Sequence, residues 1–322
     1  MYSKKEFMEN AGAIVKKMLP AEMADKMTID TVNIVKVNDQ ELNGLVFKRD
    51  DAAAAPTIYV DHLYEQYKEG EDIRAIAGEL TQCYLDSLIE SPEVIQPDMS
   101  YENIKDNLTL RLVELKRNRM YLVNVPYMTV GNGLALVCDI RVNSGEEGFW
   151  RTTVNKEMMA ENNYDKKQMF TAALADAEKI EPPVMVDMAG KLFGANGHTN
   201  VLTDAAAIMP EDKSDMYILS NQSGVLGASA LFYPGIQESI AEKLGESYYA
   251  LPSSLHEIII VPESAGIDKM RLGEMVKTAN QNVVDEKDVL SDNVFRYDKD
   301  EKQLSTAVHQ LDLGSKEATA RC

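Results

Sequence analysis

Cysteine is scarce in this chain of 322 residues, and the three that occur, Cys83, Cys138 and Cys322, are far apart. No CxxC pair and no Cys/His spacing is present, which excludes a disulfide framework and a zinc finger. Unpaired thiols in a chain long enough to bury its own core suit a reducing compartment. Long apolar runs are also absent. Glu257-Ile-Ile-Ile-Val-Pro262 is strand-sized, and no stretch approaches the ~18 apolar residues that cross a bilayer. The first twenty residues interleave Lys4, Lys5, Glu6, Glu9, Lys16 and Lys17 and contain no apolar core of a leader. The expectation is a soluble protein that stays in the cytoplasm, with no membrane partner.

Basic residues are outnumbered, 33 to 52, giving a net charge of −19 that is shared evenly by the two halves of the chain. A field of that sign repels phosphate backbones and anionic membranes, so direct nucleic-acid binding is not expected. Imitation of a DNA duplex is a conceivable use of the charge. At about one net negative charge per 17 residues the density is modest for that role.

The apolar pattern predicts an α+β fold of two lobes, with mainly antiparallel sheets flanked by helices. Ser3 and Glu6 have capping-box spacing ahead of a stripe made by Phe7, Ala11, Ile14, Val15 and Met18. Thr31–Val37 and Glu41–Arg49 read as a hairpin, and Thr57–Val60 as a strand whose Asp61 caps the next helix. Ile73, Ile76, Ala77, Leu80, Tyr84 and Leu88 share one helical face. Ser100 opens a helix carrying Ile104, Leu108, Leu112 and Leu115.

Met120–Val130 and Leu134–Asn143 read as strands joined by Gly131-Asn132-Gly133, residues that tolerate positive φ. Phe149–Val154 is a further strand, and Asn155 and Asp165 are placed to cap helices. Pro182-Pro183 closes the first lobe, giving lobes of 1–181 and 182–313 and a polar tail of 314–322. In the second lobe Val184–Met188 reads as a strand, and Met216–Ser220 and Val225–Tyr233 as a strand pair. Tyr248–Leu251 and His256–Val261 follow as strands, then a helix over 268–279 and a last hairpin, Val294–Tyr297 with Gln303–Ala307.

Chemistry-bearing residues are few. Pro252-Ser253-Ser254-Leu255-His256-Glu257 brings hydroxyls, an imidazole and a carboxylate to one turn. In an extended segment Ser254 and His256 share a face and Glu257 points away, so a local Ser-His-acid relay cannot close. The simpler reading is a turn fixed by Ser253 or Ser254 with a satisfied His256. The alternatives are ligand contact by Ser253, Ser254, His256 and Glu257, or a hydrolase whose remaining groups come from elsewhere.

His256-Glu257 is not HExxH, because Ile260 stands where the second His belongs. His62 has no second His within helical reach, and His198 and His309 stand alone. Gly190-Lys-Leu-Phe-Gly194-Ala-Asn-Gly197 follows neither phosphate-loop nor dinucleotide spacing. Asp298–Lys302 lacks the glycine and closing glutamate of a calcium loop and reads as a solvated turn. No cofactor and no metal site is expected. The seventeen methionines include Met18 and Met169 on apolar faces and read as core filling.

Ile218–Asn221, Gly227-Ala-Ser-Ala-Leu231, Tyr233-Pro-Gly235, Ile240–Gly245, Leu251–Glu257 and Val261-Pro262 resemble a family of uncharacterised proteins from anaerobic gut bacteria, often carried on mobile elements. The likeness runs from about residue 30 to 310 and includes Val289-Leu-Ser-Asp292 and Phe295-Arg-Tyr297. The order of Val125-Pro126, Asp139, Asp165–Ala177 and Pro252-Ser253 is similar, more distantly, to the YtpQ-like family, also of unknown function. Neither resemblance implies an activity or a catalytic residue. The expectation is a non-enzymatic bacterial protein that binds a protein partner or a small ligand. A hydrolase-like enzyme around Ser254, His256 and Glu257 and an acidic DNA-mimic inhibitor are the alternatives.

Overall fold

A computed structural model describes residues 1–50, 55–90, 98–143, 149–189, 200–203, 208–209 and 213–309. The fold is α+β with antiparallel sheets. It divides into two compact units, Met1–Pro97 and Asp98–Cys322, so the expected lobe boundary at 181–182 falls inside the second. No helix among the described residues is long and apolar enough to cross a membrane.

In unit 1 the helix Lys4–Met18 starts at the expected capping box: the Glu6 N–H donates to Ser3 Oγ and the Ser3 N–H to Glu6 Oε2. Phe7, Ala11 and Val15 are buried along one face of it. Strand β1 (Met27–Val35) pairs in register with β2 (Glu41–Arg49), through a turn in which Asn38 and Asp39 both have positive φ. Strand β3 (Thr57–Tyr59) completes the three-stranded sheet on the other edge of β2. The helix Ile73–Glu90 buries Ile76, Ala77, Leu80 and Tyr84, and the Tyr84 ring stacks on Phe47 at 4.6 Å. Each such side chain contributes about 1.5–3 kcal/mol through apolar burial.

Asp61 does not cap the helix Asp61–Lys68 as expected; it lies in its first turn. Its carboxylate instead accepts from Lys4 Nζ at 2.8 Å and from the backbone and side chain of Asn43 at 2.7 and 2.9 Å. Burial would raise the Asp61 pKa, but these donors outweigh it and hold the carboxyl below its ordinary range.

Unit 2 holds two sheets. In the first, β6 (Leu134–Asn143) pairs with β4 (Leu108–Glu114) on one edge, and with β5 (Tyr127–Gly131) and β7 (Phe149–Thr153) on the other. The sequence reading of Leu108, Leu112 and Leu115 as a helical face is overturned. After a helical turn, Tyr101–Ile104, and a 3₁₀ turn, Lys105–Asn107, the chain extends, because Leu108, Leu110 and Leu112 also alternate with Thr109 and Arg111 at strand period. The expected strand from Met120 is likewise shorter. Tyr121–Asn124 is a helical turn, and the strand starts only after Pro126. On the polar face of this sheet Asp139, fully buried, accepts from Arg111 Nη2 at 2.6 Å and Thr153 Oγ1 at 2.7 Å. Asn155 and Asp165 cap their helices as expected, and the helix Lys166–Ile180 packs Met169, Phe170, Ala173 and Ala177 against β4.

The second sheet runs β13-β12-β10-β11-β9-β8, antiparallel throughout, with β8 Pro183–Asp187, β9 Tyr217–Asn221, β10 Tyr248–Leu251, β11 Ile258–Pro262, β12 Val294–Asp298 and β13 Gln303–Val308. The helix Lys269–Asn282 sets Leu272 and Val276 into a core with Leu251, Val261, Val294 and Val308. The expected strand Val225–Tyr233 is not formed. Gly227–Phe232 is a 3₁₀ helix, and the partners of β9 are β8 and β11. The glycine-rich run from Gly190 to Gly197, His198, residues 144–148 and the tail 314–322 lie outside the described residues.

Candidate functional site

The turn between β10 and β11 is built by hydrogen bonds to the segment 288–291. The Leu255 N–H donates to the Asp288 carbonyl at 2.8 Å, the Leu290 N–H to the Ser253 carbonyl and the Ser291 N–H to the Pro252 carbonyl, both at 2.9 Å. Ser254 bridges to Val289. The strand begins at Ile258, so the alternation expected for Ser254, His256 and Glu257 does not apply. Ser253, Ser254, His256 and Glu257 are all half-buried.

Ser254 Oγ accepts from the His256 backbone N–H at 3.0 Å, a local bond that closes the turn. His256 Nδ1 accepts from the Leu226 N–H at 3.1 Å. An accepting Nδ1 carries no proton, so the neutral ring has its proton on Nε2, which faces Asp288 Oδ1 at 3.4 Å. Both ring nitrogens are thereby engaged by framework groups. A hydrolase relay needs one of them on a nucleophilic hydroxyl, and the Ser254 hydroxyl meets the His256 backbone instead.

A close approach locks this arrangement. The Ser220 hydroxyl donates to the His256 carbonyl at 2.7 Å, and the Ala228 N–H to the Leu255 carbonyl at 3.2 Å. A Cβ on Gly227 would lie 2.2 Å from Ser220 Oγ, 2.5 Å from the Asn221 nitrogen and 2.8 Å from the His256 oxygen. Leu226, which supplies the donor to the ring, has φ 58°. Glycine at 227 is therefore a packing requirement rather than a phosphate-loop signal.

Segment 288–293 continues from the His256 turn into a second polar cluster. Glu114, at the end of β4 and 8% exposed, accepts from Ser291 Oγ at 2.7 Å and Asn293 Nδ2 at 3.4 Å, while Arg117 Nε lies 3.3 Å from its other oxygen. Arg117 also pairs with Asp292, whose second oxygen accepts from Asn280 Nδ2 at 2.7 Å. Asn118, fully buried, donates to the Glu114 carbonyl at 2.8 Å. Burial raises the Glu114 pKa above its ordinary range, although the Ser291 hydroxyl and the Arg117 and Lys116 charges pull the other way.

Beside this cluster opens a cleft of about 560 Å³ lined by Glu114, Lys116, Arg119, Asn132, Asn293 and His309, among others. Its wall is fixed. Asn132 Nδ2 donates to the Leu304 carbonyl at 2.9 Å, the Thr306 hydroxyl to Asn132 Oδ1 at 3.3 Å, and the Leu115 N–H to the Gly133 carbonyl at 2.8 Å. Lys116, Arg119 and His309 are exposed. Among the described residues Lys116 and Arg119 have no carboxylate within ion-pair distance.

A second cleft of about 580 Å³ borders the same cluster and is lined by Arg117, Lys277, Asn280, Asp285, Glu286 and Asp292 among others. Unit 1 carries a cleft of about 570 Å³ with Glu69, Glu71 and Glu79 in its lining.

Residue-level reading of the sequence did not find this place. Its one signal is the run Lys116-Arg-Asn-Arg119, locally basic in an acidic chain and hidden when charge is summed over halves. Of the other candidates, His62 is exposed, and Asp298–Lys302 is a hairpin turn in which Asp298 accepts from the Asp300 and Glu301 N–H groups at 3.0 Å. Among the described residues no group of three or more His, Cys, Asp or Glu side chains is placed to share a metal ion. Cys138 is buried, and burial pushes its thiol pKa up, away from reactivity.

The model of a family of unknown function (DUF5688) matches residues 4–299. No curated protein and no solved structure matches the chain.

Proposed function

The chain belongs to this family of unknown function, and we propose that within it the protein is a binding protein rather than an enzyme, its unit 2 cleft receiving a negatively charged ligand. One observation carries the reading. Lys116 and Arg119 line an open cleft without a carboxylate partner among the described residues, while the acid beside them, Glu114, is already met by Ser291 and Arg117. In a chain of net charge −19, two cations at one concavity with no carboxylate within ion-pair distance among the described residues favour an anion there. The turn with Ser253, Ser254, His256 and Glu257 serves in this reading as framework, because its imidazole is tied at both nitrogens. A small acidic ligand fits the size of the cleft, and an acidic side chain of a protein partner has the same chemistry.

The test is a thermal-shift screen of acidic, neutral and basic small molecules against the wild type and the double variant Lys116→Gln/Arg119→Gln. Acidic compounds should stabilise the wild type and lose that effect in the variant. Stabilisation by neutral or basic compounds only, or equal stabilisation of both proteins, contradicts the proposal.

A further inference from the structure

Glu114 poses a problem for any anion in this cleft. It lines the same concavity as Lys116, Arg119 and His309, and an ionised carboxylate there repels an incoming oxyanion. The carboxyl cannot turn away, because Ser291 Oγ and Asn293 Nδ2 hold one oxygen and Arg117 Nε faces the other. Resting on the reading above, we propose that the cleft takes its oxyanion, a carboxylate or a phosphate- or sulfate-type group, together with one proton, which resides on Glu114.

The surroundings already lean that way. Burial favours the neutral acid and Asp292 adds to it, while Ser291, Arg117 and Lys116 oppose. The other basic side chains lining the cleft are Arg119, on the connection after β4, and His309, just after β13. An anion seated between Lys116 and Arg119 partly neutralises the first of these and supplies a new negative charge. Both changes push the Glu114 proton affinity further up. Linkage then makes binding tighter as pH falls, with a limit of about tenfold per pH unit for one proton. His309 is a second proton-accepting side chain lining the cleft, so it is replaced to leave Glu114 as the group being read.

The experiment titrates the full chain carrying His309→Gln, an exposed position, with sulfate and separately with benzoate. Both keep their charge between about pH 5.5 and 8. Amide resonances of Asn132, Gly133 and Asn293 report occupancy. Calorimetry in buffers of different ionisation enthalpy reports proton uptake. The expected result is uptake approaching one proton per anion and affinity that rises as pH falls. Adding Glu114→Gln should give tighter binding at pH ~8 and a flat pH profile.

Whichever of the two anions binds identifies the ligand class. Binding with no proton uptake, or a pH profile unchanged by Glu114→Gln, overturns this inference and leaves the anion cleft standing. Failure of both anions to bind at any pH removes the reading on which it rests. The uptake measurement needs no substitution at Glu114, so a misfolded Glu114→Gln does not blunt the test.

Discussion

Replacing Gly227 by alanine should damage unit 2 more than its chemistry suggests. The added methyl would sit 2.2, 2.5 and 2.8 Å from Ser220 Oγ, the Asn221 nitrogen and the His256 oxygen, and two of those three atoms are backbone. The serine side chain can rotate, but that breaks its 2.7 Å bond to the His256 carbonyl, a loss of ~1 kcal/mol. Overpacking against main chain adds about 1–3 kcal/mol. A total near 3 kcal/mol lowers the melting temperature of a unit this size by roughly 6–12 °C.

The assay is thermal and urea unfolding of Gly227→Ala beside Gly245→Ala. Position 245 has a positive φ of 74° and nothing within 4 Å of its would-be Cβ, so it carries only the ~1–2 kcal/mol backbone penalty. Amide exchange at Leu226 and Ala228 should quicken in the first variant alone, because their donors go to His256 Nδ1 and the Leu255 carbonyl. If Gly227→Ala unfolds no more readily than Gly245→Ala, the packing that clips the His256 turn is refuted.

Asp139→Ala leaves the Arg111 guanidinium buried without its partner and should cost about 3–5 kcal/mol in urea unfolding. Tyr84→Phe should hold or raise the stability of unit 1 by ~1 kcal/mol, because the Tyr84 hydroxyl is buried with no hydrogen-bond partner among the described residues; thermal unfolding reads it. Glu114→Gln bears on the pH dependence. A carboxyl whose folded pKa is raised contributes stability that is full below its unfolded value of 4.5 and is lost as pH rises through the folded value. The glutamine variant should therefore be more stable than the wild type at neutral pH, with the gap closing near pH 4.5, as followed by urea unfolding at several pH values. Asp61 has the opposite sign. Its lowered pKa gives stability that is present above 3.8 and lost as pH falls through the folded value, so Asp61→Asn should weaken unit 1 at neutral pH and make little difference in acid.

Local signals in the sequence were reliable where the chemistry is local. Ser3 with Glu6, Asn155 and Asp165 cap their helices as spaced, and Gly131-Asn132-Gly133 makes its turn with three positive φ values. Periodicity failed where one set of residues satisfies two periods. Leu108 and Leu112 lie four apart and so suit a helix, yet with Leu110 they also line one face of β4. Val225–Tyr233 has strand-like composition, but Gly227 must pass within contact distance of β9 and the His256 turn, and the segment coils instead.

The candidate turn was legible as a set of residues, and its role was not. What decides that role is that Leu226 and Asp288, 30 and 32 positions away, occupy the imidazole nitrogens. The cleft was missed, its one signal being the local basic run that contains Lys116 and Arg119. Its other members, Asn132, Asn293 and His309, arrive from strand ends that no spacing rule connects.

The claim that the unit 2 cleft is the anion-receiving part of the molecule is tested most directly by crystals soaked in selenate, whose anomalous scattering marks its own position. The expected map has its strongest peak between Lys116 and Arg119 beside Glu114, vanishing in Lys116→Gln/Arg119→Gln. A strongest peak beside His256, or one that survives the double substitution, contradicts the account.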